Sequence, residues 1–98
     1  MNSIEFLQTW YQSKCDGNWE HNFGISIETL DNPGWHIEVD LEDTGCNLKE
    51  IDELSEISDN DWFLIKTKDH KLVAAGDPFK LIYLLQRVQE ILLEFESL

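Results

Sequence analysis

Nucleophilic, metal-binding and acid–base chemistry each demand particular side chains at particular spacing, and few residues in this sequence can meet those demands. Cys15, His21, His36, Cys46 and His70 are the thiol and imidazole donors. A zinc site would bring such donors in close pairs, as in Cys-x2-Cys, whereas these five are scattered at irregular intervals. A calcium loop alternates oxygen ligands around a turn glycine. Asp59-Asn60-Asp61 instead runs straight into Trp62, and Asp40-Leu41-Glu42-Asp43 also lacks the pattern. A thiol nucleophile needs cations or a helix N-terminus to lower its pKa, but Cys46 lies between Asp43 and Glu50 with only Lys49 nearby. Cys15 falls at the end of an expected helix, where the backbone carries partial negative charge. No glycine-rich phosphate loop, Gly-x-Ser-x-Gly elbow or His-Glu-x-x-His run occurs. The expectation is a chain with no catalytic residue, metal or cofactor. The catalytic alternative is a small thiol-dependent enzyme using Cys46.

Carboxylates are the abundant chemistry. Seven Lys and Arg against 20 Asp and Glu leave a net charge of −13 on 98 residues. The charge is concentrated: Glu38, Asp40, Glu42, Asp43, Glu50, Asp52, Glu53, Glu56, Asp59 and Asp61 share their segment with one base, Lys49, and together give −9 of the −13. Crowding like charges destabilises a compact state, and solubility alone needs far less, so the field is expected to serve binding. Such a face steers a basic protein into encounter and raises association rates by roughly ten- to a thousand-fold at low salt. These ten carboxylates are therefore the candidate partner-binding residues. Trp19, read as an exposed interface anchor in a loop, and His36, among Glu38 and Asp40 on a polar strand face, join them. The same charge disfavours nucleic acid and anionic membranes as partners.

Several classes are excluded by composition. Hydrophobic content of 42%, with four Trp, five Phe and two Tyr, is too rich for a disordered acidic tail. No apolar run approaches the roughly 20 residues that cross a bilayer. Met1 to Phe6 lacks the positive patch and following apolar run of a secretory signal, so the expected location is cytoplasmic, with Cys15 and Cys46 as reduced thiols. The length suits a single domain over residues 1–98.

The elements that position these residues follow from periodicity. Ser3 is the expected cap of a helix with Phe6, Leu7, Trp10 and Tyr11 on one face, stopping near Cys15. Asp16-Gly17-Asn18 suits a turn, and Trp19 to Asn22 reads as loop. Phe23, Ile25 and Ile27 alternate with polar residues up to the turn Asp31-Asn32-Pro33-Gly34. Trp35, Ile37, Val39 and Leu41 then alternate with His36, Glu38, Asp40 and Glu42. Residues 43–61 read as loop with one or two helical turns, because Leu48, Ile51, Leu54 and Ile57 recur every third residue. Trp62 to Lys68 and Leu72 to Ala75 form a second hairpin around Asp69-His70-Lys71. Asp77-Pro78 opens a last helix whose apolar stripe is Leu81, Leu84, Leu85, Val88, Ile91, Leu92 and Phe95. Trp10, Trp35 and Trp62 fall on apolar phases and are expected in the core. The fold class is α+β: a four-stranded antiparallel sheet of two β-hairpins flanked by an N-terminal and a C-terminal helix, with one face left for water or a partner.

Longer blocks of sequence carry a further signal. Trp10-Tyr11, the run Cys15-Asp16-Gly17-Asn18-Trp19-Glu20-His21, the block from Gly24 to Trp35 containing Thr29-Leu30-Asp31-Asn32-Pro33-Gly34, Asp61-Trp62, and Gly76-Asp77-Pro78 resemble the immunity protein 53 family. The resemblance spans nearly the whole chain. It implies a small bacterial protein of polymorphic toxin systems, without catalysis, that is encoded beside a cognate toxin and binds it. The partner would be a basic toxin protein, a nuclease among the candidates, because an acidic surface can stand in for its substrate. A regulatory module that binds another basic protein, or a homo-oligomer built on the free sheet face, is the non-catalytic alternative.

Overall fold

Asn2 opens the first helix. Its backbone is extended and its side-chain oxygen accepts from the Glu5 N–H at 2.8 Å, so the cap lies one residue ahead of the expected Ser3. The Ser3 hydroxyl instead donates to Gln89 at 2.8 Å. The computed structural model describes residues 2–96. Helix α1 (Ser3–Lys14) buries Leu7 and Trp10 and ends at Cys15 as expected. A one-turn helix, α2 (Trp19–Asn22), then replaces the expected loop. The Asp16 carboxylate accepts from the N–H groups of Asn18 and Trp19 at 2.9 Å each, and Glu20 accepts from those of Asp16 and Gly17. These contacts satisfy backbone donors that a turn so short cannot satisfy itself.

Five strands follow, one more than expected: β1 (Ile25–Leu30), β2 (Gly34–Asp40), β3 (Asp52–Ser58), β4 (Asp61–Lys68) and β5 (Lys71–Gly76). They form one antiparallel sheet in the order β1-β2-β5-β4-β3. The β4–β5 turn holds Asp69 and His70 at φ 52° and 61°, the left-handed pair that a two-residue hairpin requires. Helix α3 (Leu81–Glu96) buries the expected stripe from Leu84 to Phe95. It starts three residues after Pro78. Asp77 to Lys80 is a separate turn, in which the Lys80 N–H donates to the Asp77 carbonyl at 3.0 Å.

The extra strand β3 corrects the reading of residues 43–61. Residues 41–51 are irregular and 59–60 form a turn; the irregular segment packs beside the end of α3, where the Asn47 N–H donates to the Phe95 carbonyl at 2.8 Å. Leu54 pairs with Leu64 across β3 and β4, so the every-third spacing of Leu48, Ile51, Leu54 and Ile57 does not mark a helix face. A bulge between Glu56 and Ser58 leaves Ile57 exposed.

All helices lie on one face of the sheet. Ile37 and Val39 of β2, Leu72 and Ala74 of β5, and Ile65 of β4 meet Trp10, Trp19, Leu84, Leu92 and Phe95 in one core. Burial of each aliphatic side chain stabilises the fold by about 1.5–3 kcal/mol. Trp10 and Trp19 pack edge to face with ring centroids 6.1 Å apart.

Candidate interaction surface

Strand alternation sends every second residue to the face that the described residues leave uncovered. Across β1, β2, β5, β4 and β3 in turn, one row reads Ser26, Glu38, Val73, Lys66, Asp52 and the next Glu28, His36, Ala75, Leu64, Leu54. The face therefore has a middle of Val73, Ala75 and Leu64, with Lys66 and Lys71 beside them and carboxylates on both flanks. At the β3 end, Asn32, Leu54, Glu56, Ser58, Asp59, Trp62 and Leu64 line a depression of about 470 Å³. Leu54 is 63% exposed there.

Trp62 belongs to this uncovered face and not to the core. Its neighbour Phe63 points at α3, with its ring 5.0 Å from that of Tyr83, so Trp62 must point the other way. Its indole reaches across the end of β5 to Gly34, where a methyl group would lie 3.4 Å from Trp62 Cζ2. The Asp77 carboxylate, wholly buried, accepts from the Trp62 backbone N–H at 3.0 Å, the Phe79 N–H at 2.9 Å and the Lys80 ammonium at 2.6 Å. Burial by itself would raise the Asp77 pKa. The Lys80 ammonium and the two backbone N–H groups outweigh it and hold the carboxyl below its usual range. By sequence Asp77 has only a capping duty; its bond to the Trp62 backbone joins residues 15 apart and depends on β4 and β5 lying side by side.

The ten expected carboxylates divide into two groups. Glu53 faces the helices, where Arg87 grips it through two hydrogen bonds of 3.1 and 2.9 Å, so it is no part of the uncovered face. Asp61 holds Lys80 at 2.7 Å. Glu38 and Asp40 lie 3.8 Å from Lys71, loose pairs on the uncovered face, and Glu42 lies 3.8 Å from His70. Asp43, Glu50, Asp52, Glu56 and Asp59 have no cation within pairing distance among the described residues. His36 sits on the uncovered face opposite Glu28 of β1, as its strand phase requires.

Trp19 is not the exposed interface anchor expected of it. At 2% exposed, with its indole N–H donating to the Glu42 carbonyl at 2.9 Å, it is a core residue. Its burial follows from α2, which turns the ring under α1. A lone Trp in an apparent loop carries no periodic signal that could have shown this.

Residues 4–92 match the profile of the immunity protein 53 family. The chain belongs to this family. The match takes in all five strands and most of both long helices, and it makes the chain an immunity protein directed against a toxin. No curated protein and no solved structure matches the chain. Burial pushes the Cys46 thiol up, and the nearby Glu96 charge adds to it against the opposing pull of Thr44 and Lys14, away from the thiolate that a nucleophile needs. Among the described residues no three His, Cys, Asp or Glu side chains gather as a metal site, and no helix is long and apolar enough to cross a membrane.

Proposed function

We propose that this chain neutralises a cognate toxin by one-to-one association, with the uncovered sheet face as the contact surface. The observation that carries this reading is the pairing of apolar surface with charge on that face: Glu38, Asp40, Asp52 and Glu56 outnumber Lys66 and Lys71 around apolar residues that end in Leu54 and Trp62. Aromatic and aliphatic anchors inside a polar rim are what a tight protein interface needs. The toxin is then a basic protein. A nuclease suits the reading best, since its cleft must be cationic to hold phosphates and the acidic face would occupy the place of the substrate. The immunity protein itself performs no reaction in this account, and it works in the cytoplasm.

Charge pairs desolvated at such an interface couple by about 1.5–7 kcal/mol, whereas rim pairs act on the association rate and its salt dependence. Mixing the chain with the product of the adjacent toxin gene, at micromolar concentration in low salt, should give a stable complex. Glu38→Lys with Asp40→Lys should weaken it and flatten the salt dependence of association. Unchanged binding by the double variant would remove this face from the account.

A further inference from the structure

The two edges of the sheet differ in a way that bears on how a partner docks. Strand β3 is defended: it is bulged after Glu56 and carries Asp52, Glu53 and Glu56. Strand β1 is six residues of regular pairing with no bulge, lysine or proline. Its outward backbone groups can be assigned. The Asp40 N–H donates to the Gly24 carbonyl at 3.0 Å, and one residue later the Leu41 N–H turns the other way, to the His70 carbonyl at 2.8 Å. Antiparallel pairs alternate between bonded and non-bonded, so Ser26 and Glu28 bond to β2 while Ile25, Ile27 and Thr29 direct N–H and C=O away from the sheet.

Each side of this edge has its own depression. On the helix side, an apolar groove of about 510 Å³ lies between α1 and β1, lined by Ile4, Leu7, Tyr11, Ile27 and Leu81, with Ile27 46% exposed. On the uncovered side, a depression of about 240 Å³ is lined by Ser26, Glu38 and Asp40. A strand laid along β1 would send alternate side chains into the two.

We propose that β1 accepts an extended segment of the toxin as a sixth strand, its apolar residues entering the Ile4–Tyr11–Ile27 groove and its Lys or Arg residues reaching Glu28, Glu38 and Asp40. This rests on the toxin-binding reading and adds the mode of docking. Charge selects the occupant: a second copy would bring another −13 chain against the same acids, whereas a cationic strand is complementary to them.

Hydrogen exchange, followed by NMR on the intact chain alone and in complex with the toxin domain encoded by the adjacent gene, tests it. The amides of Ile25, Ile27 and Thr29 should exchange readily in the free chain and slow by about tenfold or more in the complex, the effect of one new hydrogen bond. Ser26 and Glu28 should be protected in both. Thr29→Pro removes an outward N–H without touching the β1–β2 ladder, and should weaken toxin binding by about tenfold. If that variant fails to fold, exchange in the unaltered chain still decides. A complex in which the three amides exchange as fast as in the free chain overturns the edge docking and leaves toxin binding standing. A free chain that is already a dimer with those amides protected overturns it in favour of a second copy. Absence of any complex overturns the toxin-binding reading and the edge docking with it.

Discussion

Gly34 is the point at which packing on the uncovered face can be tested by a single methyl group. A Cβ built there lies 2.4 Å from the Gly76 carbonyl oxygen, against the 3.0 Å below which such contacts essentially do not occur, and 3.4 Å from Trp62 Cζ2. The obstructing atom is backbone in the central strand β5, so it cannot rotate aside. Gly34→Ala must therefore spread the β2–β5 ladder at its end. Overpacking of this kind costs about 1–3 kcal/mol. At about 4–8 °C per kcal/mol for a domain of this size, Tm should fall by at least about 4 °C. Gly24 supplies the internal control: a Cβ there meets nothing within 4 Å, so Gly24→Ala should be neutral or stabilising by up to about 1 kcal/mol. Urea unfolding followed by tryptophan fluorescence gives both midpoints, and equal slopes would show that stability alone has changed. Equal midpoints for the two variants would refute the placement of Gly34 against Gly76.

The Asp77 pKa is depressed in the folded state, so the stability it contributes is present above the unfolded carboxyl pKa of about 3.9 and is lost as pH falls through the lower folded value. Asp77→Asn should cost about 1–3 kcal/mol at neutral pH and flatten the stability curve below about pH 4, as read by denaturant unfolding at each pH. Glu53→Gln should cost under about 1 kcal/mol, because its pair with Arg87 is partly solvated, and should leave toxin affinity unchanged by calorimetry. Cys46→Ser should retain full protection in a toxin-challenge assay; loss of protection with the fold intact would restore the thiol enzyme.

Much of the fold was legible because its signals are local. The β2 alternation from Trp35 to Glu42 and the α3 stripe from Leu81 to Phe95 each place a whole face by period alone, and Asp31-Asn32-Pro33-Gly34 marks its own turn. Strand β3 was not legible. Its inward residues, Glu53 and Ser55, are polar, and its apolar Leu54 and Ile57 are exposed. Only the distant partners Arg87 and Leu64 make that pattern sensible.

The amino-acid order by itself determined the acidity, the helix–hairpin–helix frame and the family. Tertiary structure decided which acids remain free and which are bound. Ion pairs such as Glu53–Arg87, 34 residues apart, and Asp61–Lys80, 19 apart, depend on where strands cross a helix or a turn. It also exchanged the roles of two tryptophans, burying Trp19 under α1 and setting Trp62 on the open face. The reason is physical: period reports which residues share a face, but which face is covered is settled only when the layers pack.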